Sequence, residues 1–401
     1  MFVGHVSQIP QEGDYFTLNI VKEPLVVIRH QQQVRVMSSV CLHRWVPVVT
    51  GEGNAKALVC PFHNWTYDTG GQLIGTPYMN QAAEFDSHSC SLPQIRSEIV
   101  HGMIFITFSD SVESIADRLR PINALLDKYQ VADLHTAYTL DYDCPFNWKM
   151  AVETFMECCH HSAVHRTTLE DSFPGRLSYI GEDGPGWTLC HQPLRKNGAI
   201  SEVLTPGLIP LSGFSEQDMR QIDLMLIYPA CLIGLNPDRL SISTLLPEDR
   251  HTTRWHRLVL VSKASAAQPD FAATAAEMKN GSLGIIDEDL GINAAQKIGS
   301  RSRMARGAGD AYAEFLYAAT EQADRQVIQA VTEVATQRGI PQAQVALAWF
   351  YSKPAVVAPV VGVTALQHLE DALSATELTL SREEIAMLEA PYIPHPIVEH
   401  S

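Results

Sequence analysis

The chain has 401 residues, of which 46% are hydrophobic and 18% are charged. This composition excludes a disordered, collagen-like or coiled-coil protein, and the length predicts two or three globular domains. The formal net charge of −16 argues against nucleic acid and anionic membranes as general partners.

The sequence also bears on the compartment in which the protein works. No basic stretch followed by an apolar core begins the chain. The longest apolar run, at 224–235, is shorter than the roughly 20 residues that a membrane span needs. We therefore expect a cytoplasmic protein without a membrane partner. In that compartment we expect no disulfide framework among the eight Cys residues, and metal ligation is the better interpretation for at least some of them.

The first 306 residues predict two domains that both contain strands. In the first, over 1–115, short β-prone runs lie at 15–20, 24–30, 33–38 and 103–108. A helical pattern follows at 111–129 and returns from Trp148 to about His165. Further β-prone runs at 224–227, 240–245 and 252–261, and helical runs at 272–280 and 287–300, complete a second domain over 116–306.

Residues 307–401 form a predicted third domain of mainly helical character. An amphipathic helix at 324–338 ends before Gly339, and a second helix at 342–351 begins after Pro341. A short apolar strand is predicted at 359–363. Ser381 and Glu384 have the spacing of a capping box, which predicts a further helix start.

Two Cys and two His in the first domain form the first candidate metal site. Cys41 and His43 have the spacing C-x-H, and Cys60 and His63 the spacing C-x-x-H. Four such ligands can close a tetrahedral zinc site, or they can hold a two-iron cluster with the thiolates on one iron and the imidazoles on the other. Zinc ligands usually occur as Cys–Cys and His–His pairs. Each half here has one of each, which favours the cluster.

The residues around these ligands resemble a known family. The chain reads C-L-H-R at 41–44 and C-P-F-H-N-W-T-Y-D at 60–68. This stretch resembles the Rieske [2Fe–2S] domain. The resemblance implies that the two Cys and two His bind a Rieske cluster, and that Trp65 and Tyr67 are core or cluster-covering aromatic residues.

A second candidate metal site lies further along the chain, where Glu157, His160, His161 and His165 occur close together. Two imidazoles and one carboxylate on one face of an iron leave positions open for O2 and substrate, as in non-haem Fe(II) oxygenases. Spacing alone leaves the first His undecided. His161 and His165 would share one helical face, whereas His160 and His165 require the helix to end or distort between them.

The segment from position 147 resembles the pattern of Rieske oxygenases: Asn-Trp-Lys, Glu-Asn-Phe, an acidic residue, two residues, His, four residues and His. The resemblance implies that His160 and His165 bind a mononuclear iron. It also implies that Glu157 is a catalytic residue that bridges the two metal centres. His161 then falls in the variable gap, where we expect a solvated or pocket-lining side chain.

The third iron ligand is expected far downstream, in an acidic segment at 287–296. The family motif is an acidic pair followed several residues later by Gln, and the resemblance implies Asp289 as the ligand, with Asp287 in reserve. The alternative is an acidic helix start stabilised by the helix dipole. Upstream, two residues depart from the family pattern: Thr154 stands where Asn is usual, and Cys159 stands where Tyr is usual.

Residues 1 to about 306 as a whole resemble the catalytic α subunit of Rieske non-haem iron oxygenases. The resemblance implies an α+β fold in which a β-rich Rieske domain precedes a catalytic domain with a curved antiparallel sheet and helices around a mononuclear Fe(II). It implies a terminal oxygenase that activates O2 with electrons passed from the cluster. The substrate would be a small organic molecule, either an aromatic compound or a quaternary amine, that is hydroxylated or oxidatively dealkylated.

The resemblance also implies partners. NAD(P)H would supply electrons only indirectly, through a ferredoxin and/or a flavin reductase, and the chain would form a homo-oligomer, a trimer or a multiple of one. The alternative function is an oligomeric electron-transfer or scaffold protein without its own oxygenation activity. An electron carrier would need no second metal site, so the Glu157, His160, His165 and Asp289 set argues against it.

The C-terminal domain resembles a different family. Residues 324–396 are similar to the end of an aldo-keto reductase, with motifs such as Q-V-A-L-A-W at 344–349 and P-V-V-G at 359–362. The resemblance covers less than a third of a reductase barrel, and the barrel's catalytic residues belong to its earlier strands. Since eight strands must close the barrel, we expect a packed helical appendage without reductase activity.

Overall fold

The structure is a computed structural model that describes residues 1–79, 85–184, 186–300, 321–353 and 366–391. The chain divides into two compact units, Met1–Ala305 and Arg306–Ser401, which are described separately below. Among the described helices, none combines the length and the apolar composition that a bilayer crossing requires.

The first unit begins with ten short strands that form three antiparallel sheets, in the orders β4-β3-β2-β5, β6-β7-β8 and β1-β10-β9. The β-prone runs predicted at 15–20, 24–30, 33–38 and 103–108 match four of the strands to within one residue at each end. The strands are β1 (Phe2–His5), β2 (Asp14–Ile20), β3 (Glu23–His30), β4 (Gln33–Ser38), β5 (Glu52–Asn54), β6 (Leu58–Val59), β7 (Thr66–Tyr67), β8 (Leu73–Gly75), β9 (Arg96–Val100) and β10 (Met103–Thr107).

Strand β3 separates two cores of this β-rich region. Its side chains alternate between the two faces of the sheet, as the period of two in a strand requires. Val26 and Ile28 pack with Cys41, Cys60 and other residues of the candidate cluster site. Leu25 and Val27 pack on the opposite side, with residues of β1 and β10. One buried strand therefore supports the metal-site loops from below.

The rest of the first unit is built on a seven-stranded antiparallel sheet in the order β11-β17-β16-β15-β14-β13-β12. This arrangement confirms the predicted α+β class with an antiparallel sheet. The elements are α1 (Ile115–Leu119), α2 (Asn123–Lys128), β11 (His135–Cys144), α3 (Trp148–Met156), β12 (Tyr179–Gly184), β13 (Trp187–Pro193), β14 (Gln221–Ile227), β15 (Cys231–Asn236), β16 (Arg239–Pro247), β17 (Thr253–Val261), α4 (Lys263–Ala266) and α5 (Phe271–Ser300).

The two faces of this sheet pack against different helices. On one face, side chains such as Met225 and Leu258 form a core with α1 and α2. On the other face, Leu226, Leu245 and Trp255 pack with α3 and the second half of α5. We call this second face the α5 face. It is the side of the sheet on which the second candidate metal site is built.

Two helix predictions differ from the structure at Pro and Gly positions. The helix predicted over 111–129 is divided by a 3-10 turn at Arg120–Ile122, because Pro121 has no N–H to continue an α-helix. Conversely, the helices predicted at 272–280 and 287–300 are parts of the single helix α5. A Gly in a helix interior costs only about 1 kcal/mol. Burial of Met278 against Val259 and Val261 of β17, together with burial of Ile286, offsets this cost at the intervening glycines.

The second unit contains the helices α6 (Glu321–Arg338), α7 (Gln342–Tyr351), α8 (Leu366–Thr376) and α9 (Arg382–Glu389). Their apolar faces meet in a small core that includes Val334, Val345 and Leu388. The predicted capping box is present, since Ser381 Oγ accepts a hydrogen bond from the Glu384 backbone N–H at 3.2 Å. The helical character of this region is therefore confirmed, whereas the strand predicted at 359–363 lies outside the described residues.

Candidate active site

The first candidate metal site consists of two loops that have the same pattern of backbone hydrogen bonds. The Cys41 N–H donates to the Val46 carbonyl at 2.9 Å, and the Cys60 N–H donates to the Trp65 carbonyl at 2.8 Å. Each Cys carbonyl accepts in turn from the residue four positions later, Trp45 or Asn64, at 3.0 Å. Trp45 and Asn64 both have a φ of 58°, which turns each loop back sharply. The loops thereby present one buried Cys and one His each to a common centre.

The two His of these loops lack any partner for one ring nitrogen. The rings of His43 and His63 lie 4.5 Å apart between centroids, and Nδ1 of each is buried without a hydrogen bond. Buried polar atoms are normally paired, because an unpaired one costs free energy. Burial and the neighbouring His43 and Arg44 also lower the pKa of His63, which favours the neutral form that binds metals. The site thus has the donors that a Cys2His2 metal centre requires.

Two aromatic residues enclose this site. The indole of Trp65 stacks on the His43 ring at 4.8 Å with an interplanar angle of 6°. The buried Tyr67 hydroxyl accepts a hydrogen bond from the Leu42 N–H at 3.0 Å and lies 3.4 Å from Cys41 Sγ. Because the backbone amide is the donor to the hydroxyl oxygen, the Tyr67 proton is available to the sulfur. A hydrogen bond to a ligand sulfur is one means by which proteins set the potential of an iron–sulfur cluster.

The second site is formed where α3 ends. The helix predicted to continue to about His165 stops at Met156, and Glu157 has an extended backbone with φ −122° and ψ 148°. The Glu157 carboxylate accepts hydrogen bonds from the Cys159 N–H at 2.6 Å and from His160 Nδ1 at 2.7 Å. A 3-10 turn at Cys159–Ser162 follows. This early helix end brings the His160 and His165 rings to 5.0 Å between centroids.

Asp289 of α5 completes a compact group with these two His. One ligand atom from each of His160, His165 and Asp289 lies within 4.8 Å of the others. Asp289 Oδ1 is 2.9 Å from His165 Nε2 and 3.5 Å from His160 Nε2. The reserve candidate Asp287 is exposed instead. The three side chains form the two-imidazole, one-carboxylate set that suits Fe(II).

The electrostatics of this group favour proton binding when no metal is bound. Burial alone would lower the pKa of His160, but hydrogen bonds to Asp289 and Glu157 raise it to about 9. The pKa of His165 is likewise raised against burial, by Asp289 and Glu288. The same bonds overcome the effect of burial on Asp289 and lower its pKa. A metal ion that binds here must therefore displace protons from the imidazoles.

Glu288 is a residue of this site that the sequence reasoning left without a role. Its Oε2 accepts hydrogen bonds from His165 Nδ1 and from Thr168 Oγ1, both at 2.7 Å. Two successive carboxylates of α5 thus contact opposite nitrogens of one imidazole. The arrangement fixes the ring so that Nε2 faces Asp289, a common device around metal-binding His. The one sequence signal was the position of Glu288 directly before Asp289.

His161 and Thr154 lie close to this site in the chain. The environment of His161 differs from the expected one, and Thr154 forms a contact between two helices. His161 is buried and donates from Nδ1 to the Phe173 carbonyl at 3.0 Å, so the expectation of a solvated side chain is wrong. Thr154, which replaces the usual Asn, donates to Oδ1 of the buried Asn293 at 2.8 Å. This bond ties α3 to α5 one helical turn beyond Asp289.

Comparison with protein families assigns most of the chain. A model described as the ring hydroxylating alpha subunit (catalytic domain) matches residues 131–335. A Rieske [2Fe-2S] domain model matches residues 1–90, and a model of the aldo/keto reductase family matches residues 288–393. These matches confirm both resemblances that the sequence motifs indicated.

Curated relatives include enzymes that act on different small molecules. The putrescine 2-hydroxylase of Ralstonia nicotianae is 28% identical over 270 residues, which cover 63% of this chain and 67% of that protein. The carnitine monooxygenase oxygenase subunit of Escherichia coli is 32% identical over 41% of this chain and 45% of the relative. The alpha subunit of the 2-aminobenzenesulfonate 2,3-dioxygenase of an Alcaligenes species is 35% identical, with coverage of 42% and 45%. The chain thus spans less than half the length of the last two.

Solved structures share the fold at low sequence identity. A quaternary ammonium Rieske monooxygenase in complex with L-carnitine has a TM-score of 0.63 at 22% identity, covering 77% of this chain and 80% of that one. The naphthalene 1,2-dioxygenase of a Rhodococcus species bound to indole has a TM-score of 0.62 at 20% identity, covering 74% and 76%. These similarities confirm the predicted fold.

Proposed function

Because the chain belongs to the family of ring-hydroxylating alpha subunits, we propose that it is a terminal oxygenase of the Rieske non-haem iron type. Such an enzyme uses O2 to hydroxylate or oxidatively dealkylate a small organic substrate. The observation that carries the proposal is the compact group of His160, His165 and Asp289 in a chain that also has a Rieske domain. A simple electron carrier or scaffold would have no use for this second group.

The donors of the first site fit a Rieske cluster. In the proposal, Cys41 and Cys60 bind one iron through sulfur, and His43 and His63 bind the other through Nδ1. The unpaired, buried Nδ1 atoms of both rings support this assignment. The family match over residues 1–90 favours the cluster over the zinc alternative.

The donors of the second site fit Fe(II). His160 and His165 would bind it through Nε2, because Glu157 and Glu288 hold the opposite nitrogens. Asp289 would supply the third ligand. When bound, an Fe(II) with these three ligands has adjacent positions open for O2 activation next to the substrate. The two outer carboxylates keep the imidazoles in one tautomer and one orientation.

Glu157 has a second role in the proposal, between two copies of the chain. Its side chain is 47% exposed while it holds His160. Each carboxylate oxygen can accept more than one hydrogen bond, so the exposed side of Glu157 could accept the free ring N–H of a cluster ligand from a neighbouring subunit. Electrons would then pass between subunits of a homo-oligomer, a trimer or a multiple of one.

The remaining partners of the enzyme follow from the same reaction. A ferredoxin and/or a flavin reductase would deliver electrons that originate on NAD(P)H, and the enzyme would work in the cytoplasm. The relatives act on an amine, on carnitine and on an aromatic sulfonate by name. Both predicted substrate classes, aromatic compounds and quaternary amines, therefore stay within the proposal. The second unit would act as a structural appendage without reductase activity.

A single-turnover experiment tests the proposal. The protein is loaded with Fe(II), chemically reduced without O2 and mixed with O2 and a panel of aromatic acids, quaternary amines and methyl ethers. We expect one panel member to yield an oxygenated product together with oxidation of the cluster. Asp289→Ala should yield none, whereas the matched variant Asp287→Ala should behave as wild type. Product formation by Asp289→Ala would contradict the proposal. Reduction of aldehydes by the full chain with NADPH alone would contradict only the statement that the second unit has no reductase activity.

A further inference from the structure

Arg257 is a cation on the α5 face of the sheet that none of the roles above uses. In the register of the sheet it lies opposite Leu140 of β11 and Ser243 of β16. It is two residues from Trp255, which packs with α3 and α5. Because strand side chains alternate, Arg257 projects from the same face as Trp255. It therefore lies on the side of the sheet that carries the second metal site.

The guanidinium of Arg257 has no partner that balances its charge. Its Nε is buried without a hydrogen bond, and no carboxylate of the described part of the chain forms an ion pair with it. Burial and the charge of Arg239 lower the pKa of Arg257, whereas Tyr138, Tyr142 and Asp289 raise it. An Arg nevertheless stays protonated in proteins. Arg257 is only partly buried, but a charge in such a position without an ion pair is less favourable than a paired one, so an anion that joined it would stabilise it.

A second unpaired donor lies beside it. Tyr142 is on the same face, opposite Trp255, and its hydroxyl is buried without a hydrogen-bond partner. Tyr142 lies opposite Trp255, two residues from Arg257 on β17, so Tyr142 and Arg257 are diagonal neighbours on the same face of the sheet. Burial raises the pKa of Tyr142 to about 12, so the hydroxyl remains a donor. Ser243, which lies opposite Arg257 on β16, has a small side chain, and Gly234 on β15 has none.

The net charge of the iron site also favours an anionic ligand. Asp289 is the carboxylate that acts on Arg257, and it would be a ligand of Fe(II) in the loaded enzyme. Two neutral imidazoles and one carboxylate leave a net positive charge on such a site. Arg257 would add a second positive charge, which makes this side of the sheet attractive to anions.

We propose that Arg257 binds the acidic group of the substrate, with Tyr142 as a further donor, so that the substrate is a small organic anion. This inference rests on the proposed oxygenase function, which it narrows to carboxylates or sulfonates. Arg matches both oxyanions with paired N–H donors. An anion held at Arg257 would direct the rest of the molecule toward His160, His165 and Asp289.

The test compares binding of charged and neutral analogues to the iron-loaded protein by calorimetry. The probes are benzoate with benzamide, butyrate with butyramide, and benzenesulfonate with benzenesulfonamide. We expect at least one anion to bind about tenfold or more tightly than its neutral analogue, the strength of one charge-assisted interaction. The first and third pairs separate a carboxylate site from a sulfonate site.

Two variants locate the effect. Arg257→Met should abolish the preference for the anion and melt at the same or a higher temperature, because it removes a partly buried charge that has no ion pair. The matched control is Arg254→Met on the same strand, whose guanidinium is exposed and pairs with Asp143. It should keep the preference. If Arg257→Met does not fold, Arg257→Lys should retain a reduced preference, and an unchanged affinity in that variant would overturn the assignment.

Several results would refute the role of Arg257. These are equal binding of an anion and its amide by the wild type, no binding of any anion, or an undiminished preference in Arg257→Met. Iron content and the cluster EPR signal of the same samples separate this failure from a failure of the proposed function. Missing iron would contradict the oxygenase proposal, whereas full iron without a preference for anions contradicts only the role of Arg257.

Discussion

Replacement of Glu288 should weaken metal binding although this residue does not contact the metal. Its Oε2 accepts hydrogen bonds from His165 Nδ1 and Thr168 Oγ1, both at 2.7 Å, and so fixes the ring of an inner ligand. Loss of such an outer partner typically lowers metal affinity by about 10–100-fold. That range corresponds to about 1.4–2.7 kcal/mol. The bond is charge-assisted and His165 is buried, so the effect should be readily measurable.

Two substitutions of Glu288 should lower the metal affinity by different amounts. Glu288→Gln keeps an oxygen that can accept from His165 but loses the charge, so we expect a decrease near the lower end, about tenfold. Glu288→Ala removes the acceptor and leaves a buried Nδ1–H unpaired, which places it near the upper end, about 100-fold. Thr168→Val is the matched control, because it removes the other donor to Glu288 and leaves His165 bonded. Its effect should stay within about threefold.

Anaerobic competition for Fe(II) against a coloured chelator measures these affinities, with the visible spectrum of the cluster as an internal check on folding. The order wild type, Glu288→Gln, Glu288→Ala should be one of decreasing affinity. Wild-type affinity in Glu288→Ala, with an intact cluster spectrum, would refute the orienting role.

Further predictions concern the two metal centres and the second unit. Glu157→Gln should keep both metals but slow cluster reoxidation by O2 severely in stopped-flow measurements; a normal rate would argue against the bridge. Tyr67→Phe removes the hydroxyl 3.4 Å from Cys41 Sγ and should lower the cluster potential in voltammetry. The pKa of His160 is raised from 6.5 to about 9 by its carboxylate partners. The metal-free protein should therefore be stabilised below about pH 6.5 and lose that contribution toward pH 9, while metal affinity rises about tenfold per pH unit for each proton displaced. Deletion after Arg306 should reduce solubility or assembly, seen by size-exclusion chromatography, more than the iron content of each site.

The parts that could be predicted from sequence depend on local information. The spacing of Cys41 with His43 and of Cys60 with His63 already fixes which side chains two short loops can bring together. Strand periodicity and turn residues predicted four of the ten strands in the first three sheets, each to within one residue at either end. The capping box at Ser381 likewise depends on contacts within four residues, so its helix start was predictable.

What could not be predicted depends on contacts across the fold. The end of α3 at Met156 coincides with a contact of the Glu157 carboxylate, which accepts a hydrogen bond from the Cys159 N–H. The role of Glu288 requires His165, 123 positions earlier, to lie beside α5. Arg257 reaches the α5 face only through the register of a seven-stranded sheet. The periodicity of a sequence does not show which distant residues come into contact. The acidic segment at 287–289 by itself resembles an ordinary helix start.

The quantitative metal content of the purified protein and of Asp289→Ala tests the two-centre account most directly. The account predicts about three irons and two acid-labile sulfides per wild-type chain, with the low average g value of a mixed Cys/His cluster in the reduced EPR spectrum. Asp289→Ala should retain about two irons, two sulfides and the same spectrum, and lose only the mononuclear iron. A zinc-loaded protein without sulfide, or an Asp289→Ala variant that keeps its third iron, would contradict the account.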